Sequence, residues 1–285
     1  MILAFGSSGQ LSQSFQKIYT KNDIFYSSSN DLDLTKSEDI IPYIDTIKPS
    51  CIINFSAFNK VDDAEKNDTD ALKINYEAVS KMASYSYANS IPIIHFSSDY
   101  VFDGNQDFPY HEDDKCDPIN KYGISKFLGE RAIIDSNAQF LIIRTSFLYS
   151  RTSISFPQVI KQMIENNSEK LYGATDIITS PTYSGNLAEA LLQVLPTFIE
   201  SNDRGIYHFS DAGEVSRFDY MNELIDILRQ ANPSIKPIQL IPVEDAFFNL
   251  PAKRPLYSAL SCQKIFNDFN ISQKSWRSAL RECFK

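Results

Sequence analysis

No cysteines or histidines in this chain stand at a metal-binding spacing. Cys51, Cys116, Cys262 and Cys283 are far apart, with no CxxC, and His95, His111 and His208 form no HxxxH. A zinc site is therefore not expected, and each histidine reads as a core or surface residue. Disulfides are not needed at 285 residues, because about three quarters of the unfolded surface can be buried at such a length. Clusters of positive charge are also missing. Lys and Arg number 27 against 36 Asp and Glu, for a net charge of −9. A nucleic-acid binder carries a basic face, so nucleic acid is excluded as a partner. Any anionic ligand must then be held by local groups. The N-terminus opens with only five apolar residues, too few for a signal peptide or a membrane span. Repeats, low-complexity tracts and long linkers are absent. The expectation is a reduced, cytoplasmic protein without a membrane partner.

What is present alternates. Short apolar runs fall at 1–5 (MILAF), 23–27 (DIFYS), 50–56 (SCIINFS), 91–97 (IPIIHFS) and 139–146 (QFLIIRTS). Helical stretches fit between them, at 37–47, 69–89 and 118–137. Unbroken apolar runs separated by helices predict a parallel sheet buried on both faces, an α/β doubly wound, Rossmann-like fold. The second half is less regular. A turn and amphipathic helix fit 180–195, a late strand 205–210, and a helix 216–228 begins with a capping box from Ser216 to Asp219. Residues 1–150 are expected to form the nucleotide-binding domain. Residues 151–285 are expected to form a smaller, interleaved substrate lobe, with about 177–210 returning to the sheet.

The turn after the first run reads GSSGQLS, residues 6–12. In such a turn, backbone N–H groups and a helix N-terminus can meet a pyrophosphate. Gly6 permits the tight turn and Gly9 a close approach; Ser12 stands where a third glycine is usual. The end of the second run, YSSSNDLDL (26–34), has neither an early carboxylate nor an arginine. Its serines suit either ribose form, so NADH and NADPH both remain open. Asp33 lies further along and can reach the adenine.

Tyr122 and Lys126, in YGISK, are one helical turn apart. The spacing alone carries nothing; its surroundings do. SSDYVF (97–102) precedes it, GQLS (9–12) opens the chain, and RTS (144–146) follows. In this order, with NFSAFNKVDDAE (54–65), SPTYSGNLAEA (180–190) and RPLYSAL (254–260), the sequence resembles the dTDP-4-dehydrorhamnose reductase family of extended short-chain dehydrogenase/reductases. The resemblance spans nearly the whole chain.

It implies reduction of the 4-keto group of a nucleotide-linked 6-deoxysugar by NADPH or NADH, most simply dTDP-4-dehydro-L-rhamnose to dTDP-L-rhamnose. Ser98, Tyr122 and Lys126 are then the catalytic set. Tyr122 supplies the proton, and Lys126 lowers its pKa and holds the ribose. Ser98 polarises the carbonyl. Cofactor contacts are assigned to Gly6, Ser8, Gly9, Gln10, Leu11, Asp33, Leu34, Phe55, Ser56, Ala57, Phe58 and Asn75, besides Tyr122 and Lys126. Substrate contacts are assigned to Ser98, Asp99, Tyr100, Phe147 and Arg254. The resemblance is imperfect. Ser98 replaces a threonine, Phe147 a tryptophan, and Ser14 a glutamate that takes part in a magnesium site in some members, so no metal is expected. The glutamine common before Ser-Pro-Thr is missing from DIITSPT (176–182). Tyr100 after Asp99 disfavours a 4,6-dehydratase, which places Asp-Glu there. Arg144 and Arg254 are candidates to hold phosphate, although Arg144 sits in a strand and reads also as a buried structural partner. Two alternatives remain: a different nucleotide keto-sugar, or a non-catalytic NADP-binding regulatory subunit like the β subunit of methionine adenosyltransferase. A homodimer is a possible assembly.

Overall fold

A computed structural model describes residues 1–201 and 204–284. Residues 202 and 203, inside the expected return segment, and residue 285, at the end of the expected lobe, lie outside the described residues. The first half runs β1 (Ile2–Phe5), α1 (Gln10–Ile18), β2 (Ile24–Ser27), α2 (Ser37–Ile47), β3 (Cys51–Asn54), α3 (Val61–Lys66), α4 (Thr69–Leu72), α5 (Ala78–Asn89), β4 (Ile93–Ser98), α6 (Lys121–Ser136) and β5 (Phe140–Thr145). The second half runs β6 (Leu148–Tyr149), α7 (Phe156–Glu165), β7 (Lys170–Ala174), β8 (Ile178–Thr179), β9 (Thr182–Tyr183), α8 (Ser184–Glu200), β10 (Gly205–His208), β11 (Val215–Ser216), α9 (Arg217–Ala231), β12 (Gln239–Val243), α10 (Gln263–Phe269) and α11 (Trp276–Phe284).

The central sheet has six strands in the order β10-β5-β4-β3-β1-β2. All of its pairings are parallel. The apolar runs are unbroken because alternate residues feed two cores. Ile2, Ala4, Ile53, Ile94, Leu141 and Ile143 face α1 and α8, through Leu11, Phe15, Leu187, Leu191 and Val194. Leu3, Phe5, Ile52, Ile93 and Ile142 face α2, α5 and α6, through Ile40, Ile44, Val79, Met82 and Ile133. The sheet is therefore dry on both sides, as parallel sheets require.

The expected helix at 69–89 is one continuous rod with a π-helical turn at Lys73–Glu77. The capping box at Ser216 forms with a twist. Its hydroxyl accepts from the Asp219 N–H at 2.9 Å and donates to Asp219 Oδ2 at 2.7 Å, so the carboxylate returns to the hydroxyl and not to the backbone.

A third core holds the C-terminal part together. Ile160, Leu171, Leu224, Leu228, Trp276 and Leu280 bring α7, β7, α9 and α11 into contact. There β12 lies parallel to β7. Of the segment 177–210, β10 joins the main sheet beside β5, while β8 pairs with β11 and β9 with β6.

Candidate active site

The strand order reverses around β1, which lies between β2 and β3. A crevice opens there, at the carboxyl ends of the strands. A cleft of about 990 Å³ occupies this place, walled by the sheet loops on one side and by α7, β7 and α9 residues on the other.

Gly6 shapes its floor. Its φ is +82°, and a Cβ there would stand 2.7 Å from the Ser56 nitrogen. Only glycine lets the β1 loop lie directly against the β3 loop. Gly9 then caps α1, whose first turn is open to the cleft. This bare backbone next to a helix N-terminus fits a dinucleotide pyrophosphate. Of the residues assigned to the cofactor, Gly6, Ser8, Gly9, Gln10, Leu11, Asp33, Leu34, Phe55, Ser56, Ala57, Tyr122 and Lys126 all line the cleft. Phe58 and Asn75 do not. Asn75 is buried in the π-helical turn; it accepts from the Phe58 N–H at 2.9 Å and donates to the Phe58 carbonyl and to Ser125 Oγ. It fixes the β3 loop to α6 from behind. Ser27, Ser28 and Ser29 also line the cleft, at the position where cofactor type is usually read.

The reacting end is built by β4 and α6. Asn120 caps α6 by accepting from the Gly123 N–H at 2.8 Å. Gly123 lets the helix press onto the loop after β4, since a Cβ there would stand 2.1 Å from the Tyr100 carbonyl oxygen. That approach sets Tyr122 beside Ser98 and Tyr100. The two tyrosine rings meet edge to face at 5.7 Å. Burial pushes the Tyr122 phenol up and the neighbouring Asp99 and Tyr100 add to this, while a hydrogen bond with Ser98 pulls it down. The expected pull of Lys126 on Tyr122 is not among these influences. The Lys126 ammonium instead donates to the Phe96 carbonyl at 2.7 Å and lies 3.4 Å from His95 Nε2. Burial lowers its pKa to about 8, against an opposing pull from Glu130. His95 is held neutral by burial and then by the Lys126 charge. Asn54 Oδ1 accepts from the Ser56 N–H, so its amide faces His95 Nδ1 at 3.1 Å as a donor.

Ser98 donates to Asp99 Oδ1 at 2.9 Å and accepts from the Tyr100 N–H at 3.2 Å. Burial raises the Asp99 carboxyl although Ser258, Ser146 and Ser98 hydrogen-bond to it. A carbonyl oxygen placed between Ser98 and Tyr122 would meet two hydroxyls on one side. Such a site can polarise a ketone and deliver a proton to it.

Asp99, Tyr100, Phe147 and Arg254, the assigned substrate contacts, line the same cleft. Phe147 is not a free aromatic face. The Arg217 guanidinium carbon lies 3.5 Å from its ring centroid, and Phe156 and Tyr220 meet it edge to face at 5.4 and 4.9 Å. Arg254 pairs with Asp62 at 2.9 Å. Arg144 is the buried strand partner. Its guanidinium forms two hydrogen bonds to Glu130, 2.9 and 2.7 Å, and does not line the cleft. Ser14 hydrogen-bonds Ser184 at 2.8 Å. Among the described residues, no group of three or more His, Cys, Asp or Glu could hold a metal ion. Sequence reasoning missed Arg217, which follows the Ser216 cap and was read only as part of a helix start. It also missed Phe156, Met163, Leu171 and Phe248, which supply the apolar wall of the lobe.

A family model described as "RmlD substrate binding domain" matches residues 1–285. A dTDP-4-dehydrorhamnose reductase of Aggregatibacter actinomycetemcomitans is 31% identical over 98% of this chain and 97% of its own. The crystal structure of a dTDP-4-dehydrorhamnose reductase from Clostridium acetobutylicum superposes with a TM-score of 0.90 at 28% identity, covering 99% of this chain and 97% of that one. A reductase of the same description from Bacillus anthracis, solved in complex with NADP, has a TM-score of 0.89 at 29% identity, covering 99% and 98%.

Proposed function

The chain belongs to the dTDP-4-dehydrorhamnose reductase family, and on that premise we propose that it reduces the 4-keto group of dTDP-4-dehydro-L-rhamnose, giving dTDP-L-rhamnose. The observation that carries the reading is the meeting of Ser98, Tyr122 and Lys126 at the reacting end of the cleft. A bound nicotinamide cofactor, NADPH or NADH, supplies the hydride. Gly6, Gly9 and the first turn of α1 would hold its pyrophosphate, and Lys126 its nicotinamide ribose.

The residues do the rest. Ser98 donates to the substrate carbonyl oxygen and leaves Asp99 in exchange, a swap that Asp99 tolerates because Ser146 still donates to it at 2.7 Å. Tyr122 gives its proton to the same oxygen as negative charge develops there. Burial favours the neutral phenol, so the proton is in place before the reaction. Asp99 and Tyr100 orient the hexose. The reaction belongs to a reducing, cytoplasmic setting, and all four cysteines are unpaired; light scattering checks whether the chain pairs as a homodimer.

The test is to generate the keto-sugar in place, follow loss of reduced nicotinamide and identify the sugar formed. Tyr122→Phe is expected to lose about 10²–10⁴-fold in kcat while its affinity for NADPH stays within about twofold. Unchanged turnover in that variant removes the mechanism. Turnover only with UDP-, GDP- or CDP-linked keto-sugars changes the substrate assignment.

A further inference from the structure

Three arginines stand in or near the cleft, and two are neutralised by carboxylates. Arg144 is locked to Glu130 and Arg254 to Asp62. Arg217 is different. It lines the cleft at the start of α9, and its backbone N–H is spent on the Ile177 carbonyl. Among the described residues, no carboxylate lies within ion-pair distance of its guanidinium and no side-chain hydrogen bond fixes it. Its support is aromatic, from Phe147 beneath it and Phe156 at 5.1 Å. Stacking of this kind leaves the planar N–H fork available at its edge. Burial opposes its charge, while Tyr100 and Asp99 favour it. A half-buried guanidinium with no ion pair of its own is open to an anionic ligand.

Resting on the reading above, we propose that Arg217 anchors the diphosphate of the nucleotide sugar and is a determinant of specificity for nucleoside diphosphates. Asp99 and Tyr100, which line the same cleft and act on its charge, stand next to Ser98 and Tyr122, where the hexose reacts. The diphosphate, attached to the other side of that ring, is then offered to Arg217. A guanidinium fork complements phosphate oxygens two at a time, which an aromatic face does not. Phe147 accordingly serves as the platform that aims Arg217, and the substrate touches the arginine in place of that ring face.

The test is calorimetric titration of the full chain, saturated with NADPH, using dTDP, thymidine and inorganic pyrophosphate as probes. Arg217→Gln is expected to weaken dTDP by about tenfold or more, to abolish competition by pyrophosphate, and to leave thymidine and NADPH affinities unchanged. Arg217→Lys, which keeps the charge without the fork, should recover part of the loss. It also guards against a folding defect in the glutamine variant. An equal loss for thymidine would show that Arg217 only shapes the pocket. A rise in KM for the keto-sugar with dTDP affinity intact would assign it to the hexose. Either result overturns the proposal, as does a parent protein that binds neither dTDP nor pyrophosphate. If dTDP follows the expected pattern but no keto-sugar is reduced, the diphosphate anchor stands and the reductase reading falls.

Discussion

The charge on Lys126 survives only in part of the ordinary pH range. Its pKa is 10.5 in an unperturbed chain and about 8 when buried in α6. Between those values the unfolded chain holds a proton that the folded chain has released, so this group makes stability rise with pH from about 8 to about 10.5. Below about 8 both states are charged and the full cost of burying the ammonium is felt. Activity runs the other way. In the proposed role the ammonium would hold the ribose, and it is lost above about pH 8, so kcat/KM is expected to fall there by about tenfold per unit. A pH–rate profile that stays level to pH 10 would contradict this role. Sequence alone showed that Lys126 sits one turn from Tyr122. It did not show that Phe96 and His95 engage the ammonium from the neighbouring strand, because a strand residue and a helix residue that meet this way have no fixed sequence separation.

At the scale of single elements, the seat of Tyr122 depends on how closely α6 approaches the loop after β4. Gly123→Ala would place a methyl 2.1 Å from the Tyr100 carbonyl oxygen, against backbone that cannot swing away. The expected result is a loss of about 1–3 kcal/mol in stability, with a fall in kcat larger than the change in NADPH affinity. Denaturant titration together with steady-state kinetics separates the two. A second element-level effect is acidic. Asp211 accepts from the Tyr183 N–H and from Asn186 at the start of α8, and burial raises its pKa from 3.8 to about 7. Between those values the folded chain binds a proton that the unfolded chain does not, so its contribution to stability falls as pH rises from about 4 to 7. Asp211→Asn should therefore gain thermal stability relative to the parent across that interval. Parallel melting curves at each pH would contradict the assignment. The strands β1, β3, β4 and β5 were legible because each is buried on both faces and so is apolar throughout. The lobe elements α7, β7, β12, α10 and α11 were not. Their partners are distant, as when β12 finds β7, and each is amphipathic or short enough to resemble a loop. The π-helical turn was not legible either, since a one-residue slip of phase within 69–89 looks like ordinary irregularity of the apolar pattern.

For the molecule as a whole, the cleft is closed by two parts of the chain, so ligand binding should stiffen both. NADPH at 100 times its Kd is expected to add about 2.7 kcal/mol to stability and to raise Tm by several degrees, with a smaller rise if Gly6 is replaced by valine, which would block the loop contact at Ser56. Equal shifts in both proteins would place the cofactor elsewhere. The interleaving of the chain has a further consequence during synthesis. When residue 150 leaves the ribosome, five of the six main strands and the Tyr122–Lys126 pair already exist. Yet one face of the sheet still lacks α8, and the open edge of β5 still lacks β10. That nascent intermediate leaves Leu141, Ile143 and an unpaired strand edge uncovered until translation has passed His208. The first half is therefore expected not to mature alone, with the demand on chaperones greatest when Ser98, Tyr122 and Lys126 have been made but α8 and β10 have not.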